Sequence, residues 1–96
     1  MNEQRFELVF NKELTKLAGN RFGRTTYDSQ VKDDILLSND KIIIVLPSRI
    51  DRVATSFVQG FFDEIMMQIG LAGIKNKIFF KTSIPNFKEF VIANLE

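Results

Sequence analysis

The chain has no cysteine, no histidine and no tryptophan, and only two prolines among its 96 residues. Without cysteine there is no disulfide, no thiol nucleophile and no thiolate metal site, and the redox compartment is left unmarked. Without histidine, imidazole acid–base chemistry at neutral pH, Ser-His-Asp triads and nearly all zinc sites drop out. An excess of one charge is missing too: 13 basic and 12 acidic side chains leave a net charge of +1. That balance sets up no field to gather nucleic acid or an anionic membrane surface. No apolar run approaches the ~20 residues of a membrane span, and Met1–Phe10 lacks a signal-peptide core, so a cytoplasmic protein is expected.

What remains is an ordinary globular composition, 45% hydrophobic and 26% charged. A chain of this size makes one domain, 1–96, and buries roughly 60–68% of its unfolded surface without covalent staples. Phenylalanine alone is over-used, with ten copies against one tyrosine. Most are expected to fill the core, and a few to stand outside as partner anchors.

The chain is organised around 41–71. KIIIVLP is an unbroken β-branched run (Ile42, Ile43, Ile44, Val45) extended by Leu46 and closed by Pro47. A run without polar alternation fits a strand covered on both faces, as in a parallel sheet. SRIDRV then places Arg49, Asp51 and Arg52 at the strand's carboxyl end, where open α/β sheets carry their sites. A helix over 55–69 follows, with Phe57, Val58, Phe61, Ile65 and Ile69 on one stripe and Phe62 and Met66 widening it. Thr55 or Ser56 is expected to cap it.

Elsewhere Gln4–Phe10 alternates as a half-buried strand. Residues 11–19 read either as a short helix capped by Asn11 or as a hairpin returning beside the first strand. RFGRTT (21–26) reads as a turn with Gly23 at positive φ, followed by a helix over 27–37 with Val31, Ile35 and Leu36 inward. Gly70 and Gly73 end the central helix, and KIFFK (77–81) makes a short strand. Asn86 with Glu89 suggests a capping box opening a last helix that presents Phe87, Phe90, Val91 and Leu95. The sum is a small α/β sandwich, a central mixed sheet with about three helices packed on it.

Three segments carry a family resemblance: FGRTTY before the first helix, the strand KIIIVLP, and VATSFVQGFFDEI opening the central helix. Over roughly 21–82 the chain resembles the STAS-like family, relatives of the anti-sigma-factor antagonists. In the antagonists the strand is followed by Asp-Ser-Ser/Thr-Gly, whose first Ser is phosphorylated by a partner kinase. On that pattern Ala54 takes the Asp position, Thr55 the phosphoacceptor, Ser56 the next hydroxyl and Phe57 the Gly. The resemblance implies the fold, a protein-binding role for this loop and helix, and an ATPase-like kinase or other regulator as partner.

The leading expectation is therefore a non-enzymatic interaction module of a bacterium or phage, with no cofactor and no metal. Its partner-binding surface is expected to hold Arg49, Asp51, Arg52, Thr55, Ser56, Gln59, Phe62, Asp63 and Met66. Thr55 and Ser56 are candidate phosphoacceptors, since a phosphate would sit at a helix N-terminus, and equally candidate caps. Phe61-Phe62 and Met66-Met67 either bury within the chain or offer one member to a partner, a homodimer mate included. One alternative is a small inhibitor that masks the surface of a larger machine. Another is a nucleotide-binding domain using Arg49, Arg52 and the helix start, although VLPSRIDRVATS is neither a P-loop nor GxGxxG. Arg21 and Arg24 around Gly23 are too few for a nucleic-acid face. Asp33-Asp34 and Asp63-Glu64 point about 100° apart on a helix, so neither is a two-carboxylate site.

Overall fold

The apolar run at 42–46 becomes the middle of the main sheet. In the computed structural model, which describes residues 2–96, β3 (Lys41–Val45) lies between β1 (Glu3–Glu7) and β5 (Ile78–Lys81). Both ladders are parallel, with Phe6 beside Ile44 and Ile42 beside Ile78. Parallel neighbours need crossovers, and helices supply them: α1 (Asn20–Gln30) lies between β1 and β3, and α2 (Thr55–Lys77) between β3 and β5. A second, two-residue parallel ladder joins β2 (Lys16–Leu17) to β4 (Arg52–Val53), and α3 (Phe87–Leu95) closes the chain. This is the small α/β fold expected from the sequence, with three helices on a small sheet whose described pairings all run parallel.

One face of the sheet (Phe6, Ile42, Ile44, Ile78) packs under the helices. Ile43, Val45 and Phe79 alternate onto the other face, half-buried and outside the core. The expectation that β3 is covered on both faces therefore fails. Ile43 has Arg5 and Phe79 as its ladder neighbours, so long flanking side chains shelter it in place of a second layer.

Eight of the phenylalanines form a continuous rail through the protein. Ring centroids step from Phe10 to Phe22 (5.9 Å), Phe57 (5.4 Å), Phe61 (6.1 Å), Phe62 (5.0 Å), Phe80 (5.9 Å), Phe87 (5.0 Å) and Phe90 (6.0 Å). Most steps are edge-to-face, the geometry that ring quadrupoles favour. The rail ties α1, α2, β5 and α3 together, so core filling accounts for most of the unusual composition. Tyr27 joins it from the side, 5.7 Å from Phe61. Burial, then Glu64 and Asp28, push its phenol pKa up.

Several expectations give way to tertiary contacts. Residues 11–19 form neither helix nor hairpin: Asn11 holds a turn, accepting from Leu14 N–H through its carbonyl and from Glu13 N–H through Oδ1. The chain then enters β2, which pairs with β4 rather than β1. The segment 21–26 is not a turn but part of α1, and Gly23 is helical; only Gly19, Gly70 and Asn86 have positive φ among the described residues. Gly23 and Gly60 are where α1 and α2 cross, each facing the other helix's backbone with no room for a Cβ. α1 then stops at Gln30 rather than running to 37. The Gln4 side chain takes over the backbone beyond, accepting from Leu36 N–H and donating to the Asp34 carbonyl, and Leu36 is left exposed. Asn86 is left-handed (φ 57°) and makes no side-chain cap, so the capping box does not form. Inside α2, Gly70 (φ 68°) breaks the helix, and Gly73 lies within the continuing segment.

Candidate functional site

The first turn of α2 is positioned by three neighbours, and none of its hydroxyls caps it. The N-cap residue is Ala54, with no side-chain cap hydrogen bond. Ser56 instead turns inward and accepts from the Gly19 N–H at 2.9 Å, fixing the entry of α1. Thr55 turns outward, exposed, and donates to Asn94 Oδ1 at 2.9 Å. Asn94 donates back to the Phe90 carbonyl at 2.8 Å, and Gln59 Nε2 reaches the Asn94 carbonyl at 3.5 Å. The expected cap role of Thr55 and Ser56 is thus replaced by two tertiary ties. An extended Ala54 supplies the start, its N–H donating to the Leu17 carbonyl at 2.7 Å.

The remaining expected residues divide between surface and interior. Thr55, Gln59 and Asp63 recur at four-residue spacing and form an exposed ridge along α2, continued by Met67 at 80% exposure. Asp63 is ion-paired with Arg24 of α1, and Glu64 bridges Arg24 at 4.0 Å and Lys32 at 3.3 Å. Asp51 and Arg52 are exposed beside the helix start. Phe62 does not belong to this surface: it is 3% exposed and lies on the phenylalanine rail. Met66 is half-buried against the core, and its neighbour Met67 takes the outward position. Arg49 faces inward as well. Its Nη2 donates to the carbonyls of Phe10 (2.7 Å) and Asn11 (2.9 Å), while its Nε is buried with no partner among the described residues. This guanidinium ties the loop after β1 to the loop after β3.

Sequence reasoning missed Lys16 and Asn94, and of the pair Met66-Met67 it put Met66 rather than Met67 on the partner surface. Lys16 is brought beside Arg52 by the β2–β4 register, and both are exposed without a carboxylate in salt-bridge range among the described residues. Like charges set opposite each other on a ladder repel, and the exposed Asp51 adjoins Arg52 in the chain. Asn94 was not legible, because nothing in the last helix's periodicity says which polar residue reaches α2.

No protein-family model, curated protein or solved structure matches this chain. Its functional reading therefore rests on the site itself. The ridge offers one alcohol, one amide, a neutralised carboxylate and a thioether over about four helical turns, with two free cations at its N-terminal end. Such a set can recognise a protein surface by hydrogen bonds and one apolar anchor. Among the described residues no helix is long and apolar enough to cross a membrane.

The tie between Thr55 and Asn94 gives a local expectation. Asn94→Ala should lower stability by about 0.5–1 kcal/mol, the usual value of one such bond. Amide exchange should speed up in α3 ahead of the sheet, and hydrogen exchange read by mass spectrometry checks this. Uniform acceleration would mean that α3 is not held at this point.

Proposed function

We propose that this chain is a non-enzymatic protein-interaction module of the STAS-like kind. It would regulate a partner protein in a bacterial or phage cytoplasm through Asp51, Arg52 and the α2 ridge of Thr55, Gln59, Asp63 and Met67. The observation that carries the proposal is the outward ridge itself. It opens on a hydroxyl at the first helical turn, where the antagonists present their phosphoacceptor, and ends on an apolar side chain left in water.

The same geometry separates the two candidate acceptors. Ser56 is half-buried and its hydroxyl is engaged by Gly19, whereas Thr55 is exposed and bonded only to a side-chain amide. Thr55 is thus the acceptor in this reading. A phosphate there would lie at the helix N-terminus, a favourable site for an anion, and would displace the Asn94 contact. The nucleotide-binding alternative loses support because Arg49 is committed to the Phe10 and Asn11 carbonyls. An inhibitor that masks a larger machine would use the same ridge, with Met67 as its anchor.

The test is capture from native lysate with the parent chain and with a Gln59→Lys, Met67→Asp variant. The parent should enrich a discrete partner and the variant should lose it at least roughly tenfold while melting normally. Co-capture of an ATPase-like kinase predicts a +80 Da species, one phosphate, that disappears with Thr55→Ala. Equal recovery by both chains would remove the ridge from consideration.

A further inference from the structure

The main sheet has one covering layer where parallel sheets ordinarily have two. Opposite the helices stand Ile43, Val45 and Phe79, half-buried and absent from the core packing. Phe79 is the one phenylalanine of the ten that takes no part in the core. We infer that this face docks against the same face of a second copy of the chain, about a two-fold axis parallel to the strands.

The charge layout selects both the occupant and the axis. Ladder registers set three rows across the face: Glu3 with Lys41; Arg5, Ile43 and Phe79; Glu7, Val45 and Lys81. The β1 edge is thus acidic at both ends, with Arg5 between its two glutamates and ion-paired to Glu7 at 3.3 Å. The β5 edge is basic. Lys81 ends it, and the ammonium of Lys88 lies 3.9 Å from the Phe79 ring centroid, with Lys41 leaning over the same ring at 5.3 Å. Burial lowers the Lys88 pKa, while Glu89 acts in the opposite sense. Among the described residues, Lys41, Lys81 and Lys88 have no carboxylate in salt-bridge range, and neither does Glu3 a cation.

A half-turn about an axis along the strands lays β1 of each copy over β5 of the other. Glu7 then faces Lys81 of the second copy, Glu3 falls on the side of its Lys41, and Arg5, neutralised by its own Glu7, falls on the row of its Phe79. Ile43 and Val45 stack across the axis, so the contact is isologous. A half-turn about an axis crossing the strands would instead set β1 on β1, with Glu3 against Glu7, which like-charge repulsion opposes. Three strands about 4.8 Å apart, two of five residues and one of four, make a face of roughly 10 by 17 Å at most. That is less than the ~800 Å² per partner of a standard interface, so the dimer is weak and concentration-dependent. The α2 ridge lies on the helical layer, leaving this contact and the partner surface to stand or fall separately.

Sedimentation velocity of the full chain, from micromolar to millimolar at low salt, tests the inference. The parent should shift from monomer to dimer along that series, and less so in high salt. Glu7→Lys and Lys81→Glu should each raise the dimer dissociation constant at least roughly tenfold. Mixed together, the two variants should regain parental affinity, because each crossed pair is again opposite in sign. A chain that stays monomeric at the highest concentration overturns the inference. So does a dimer indifferent to both substitutions, or one that mixing does not restore.

Discussion

Gly60→Ala should lower the free energy of unfolding by about 2–3 kcal/mol, as overpacking at a tight contact does. The sign is the informative part. In an unconstrained helix the same change stabilises by about 1 kcal/mol, because alanine is the better helix former. Here the added Cβ would come within 2.8 Å of the Asn20 carbonyl carbon and 3.1 Å of the Arg24 nitrogen, and closer still to the Asn20 oxygen. All three are backbone atoms of α1, so relief needs the whole helix to move. Gly23 makes the reciprocal contact, facing the Phe57 carbonyl and, at 2.8 Å, the Phe61 nitrogen. Gly23→Ala should behave alike. The double variant should cost less than the two single losses added, since the separation forced by one methyl makes room for the other. Urea unfolding followed by far-ultraviolet circular dichroism reads all three. A Gly60→Ala protein as stable as its parent would mean that the helices do not cross here.

Phe62→Asp should lower the free energy of unfolding by at least about 4–8 kcal/mol at pH 7, enough to unfold a domain of ordinary stability. The side chain lies 5.0 Å from Phe61 and 5.9 Å from Phe80, ring centre to ring centre, with 3% of its surface exposed. Truncating a buried phenylalanine costs about 3–5 kcal/mol. A carboxylate placed there with no partner adds a further desolvation penalty of at least about 1–3 kcal/mol. Small domains hold only about 5–15 kcal/mol in total. Met67→Asp is the control: it introduces the same charge on the same helix at a side chain 80% exposed. Its stability should stay within about 0.5 kcal/mol of the parent. Circular dichroism melts of the two variants distinguish the faces of α2. A Phe62→Asp protein as stable as its parent would put the wrong face of this helix in the core.

These two substitutions also mark where the sequence was readable and where it was not. The strand at 42–46, the helix from Thr55, the strand at 78–81 and the last helix follow from runs and periods that local chemistry sets. The start of α1 does not. RFGRTT has turn chemistry on its own, and becomes helix because Gly23 lets α1 settle on the α2 backbone, a contact with a segment over thirty residues away. Phe61-Phe62 and Met66-Met67 are symmetrical to a periodicity argument. Only the placement of β5 and α3 against α2 sends Phe62 inward and Met67 outward. Arg49 looked like a site residue because it follows a parallel strand, yet two backbone carbonyls claim it. Ser56 and Thr55 looked alike, and were separated by the positions of Gly19 and Asn94. The β2–β4 ladder, two residues long, is too short to leave a periodic trace, and with it the pairing of Lys16 and Arg52 stayed hidden.

The strand order β1-β3-β5 also bears on how the protein reaches its structure. Every ladder joins segments about 36 or more positions apart, Glu3 with Lys41, Ile42 with Ile78 and Lys16 with Arg52, and no hairpin is present among the described strands to start a sheet. Each pairing must await the closure of a long loop, so a slow search is expected for so small a chain. During synthesis β3 can find β1 early, but its other edge stays unpaired until Lys81 has left the ribosome. For that interval the most apolar strand of the protein is also its most exposed edge.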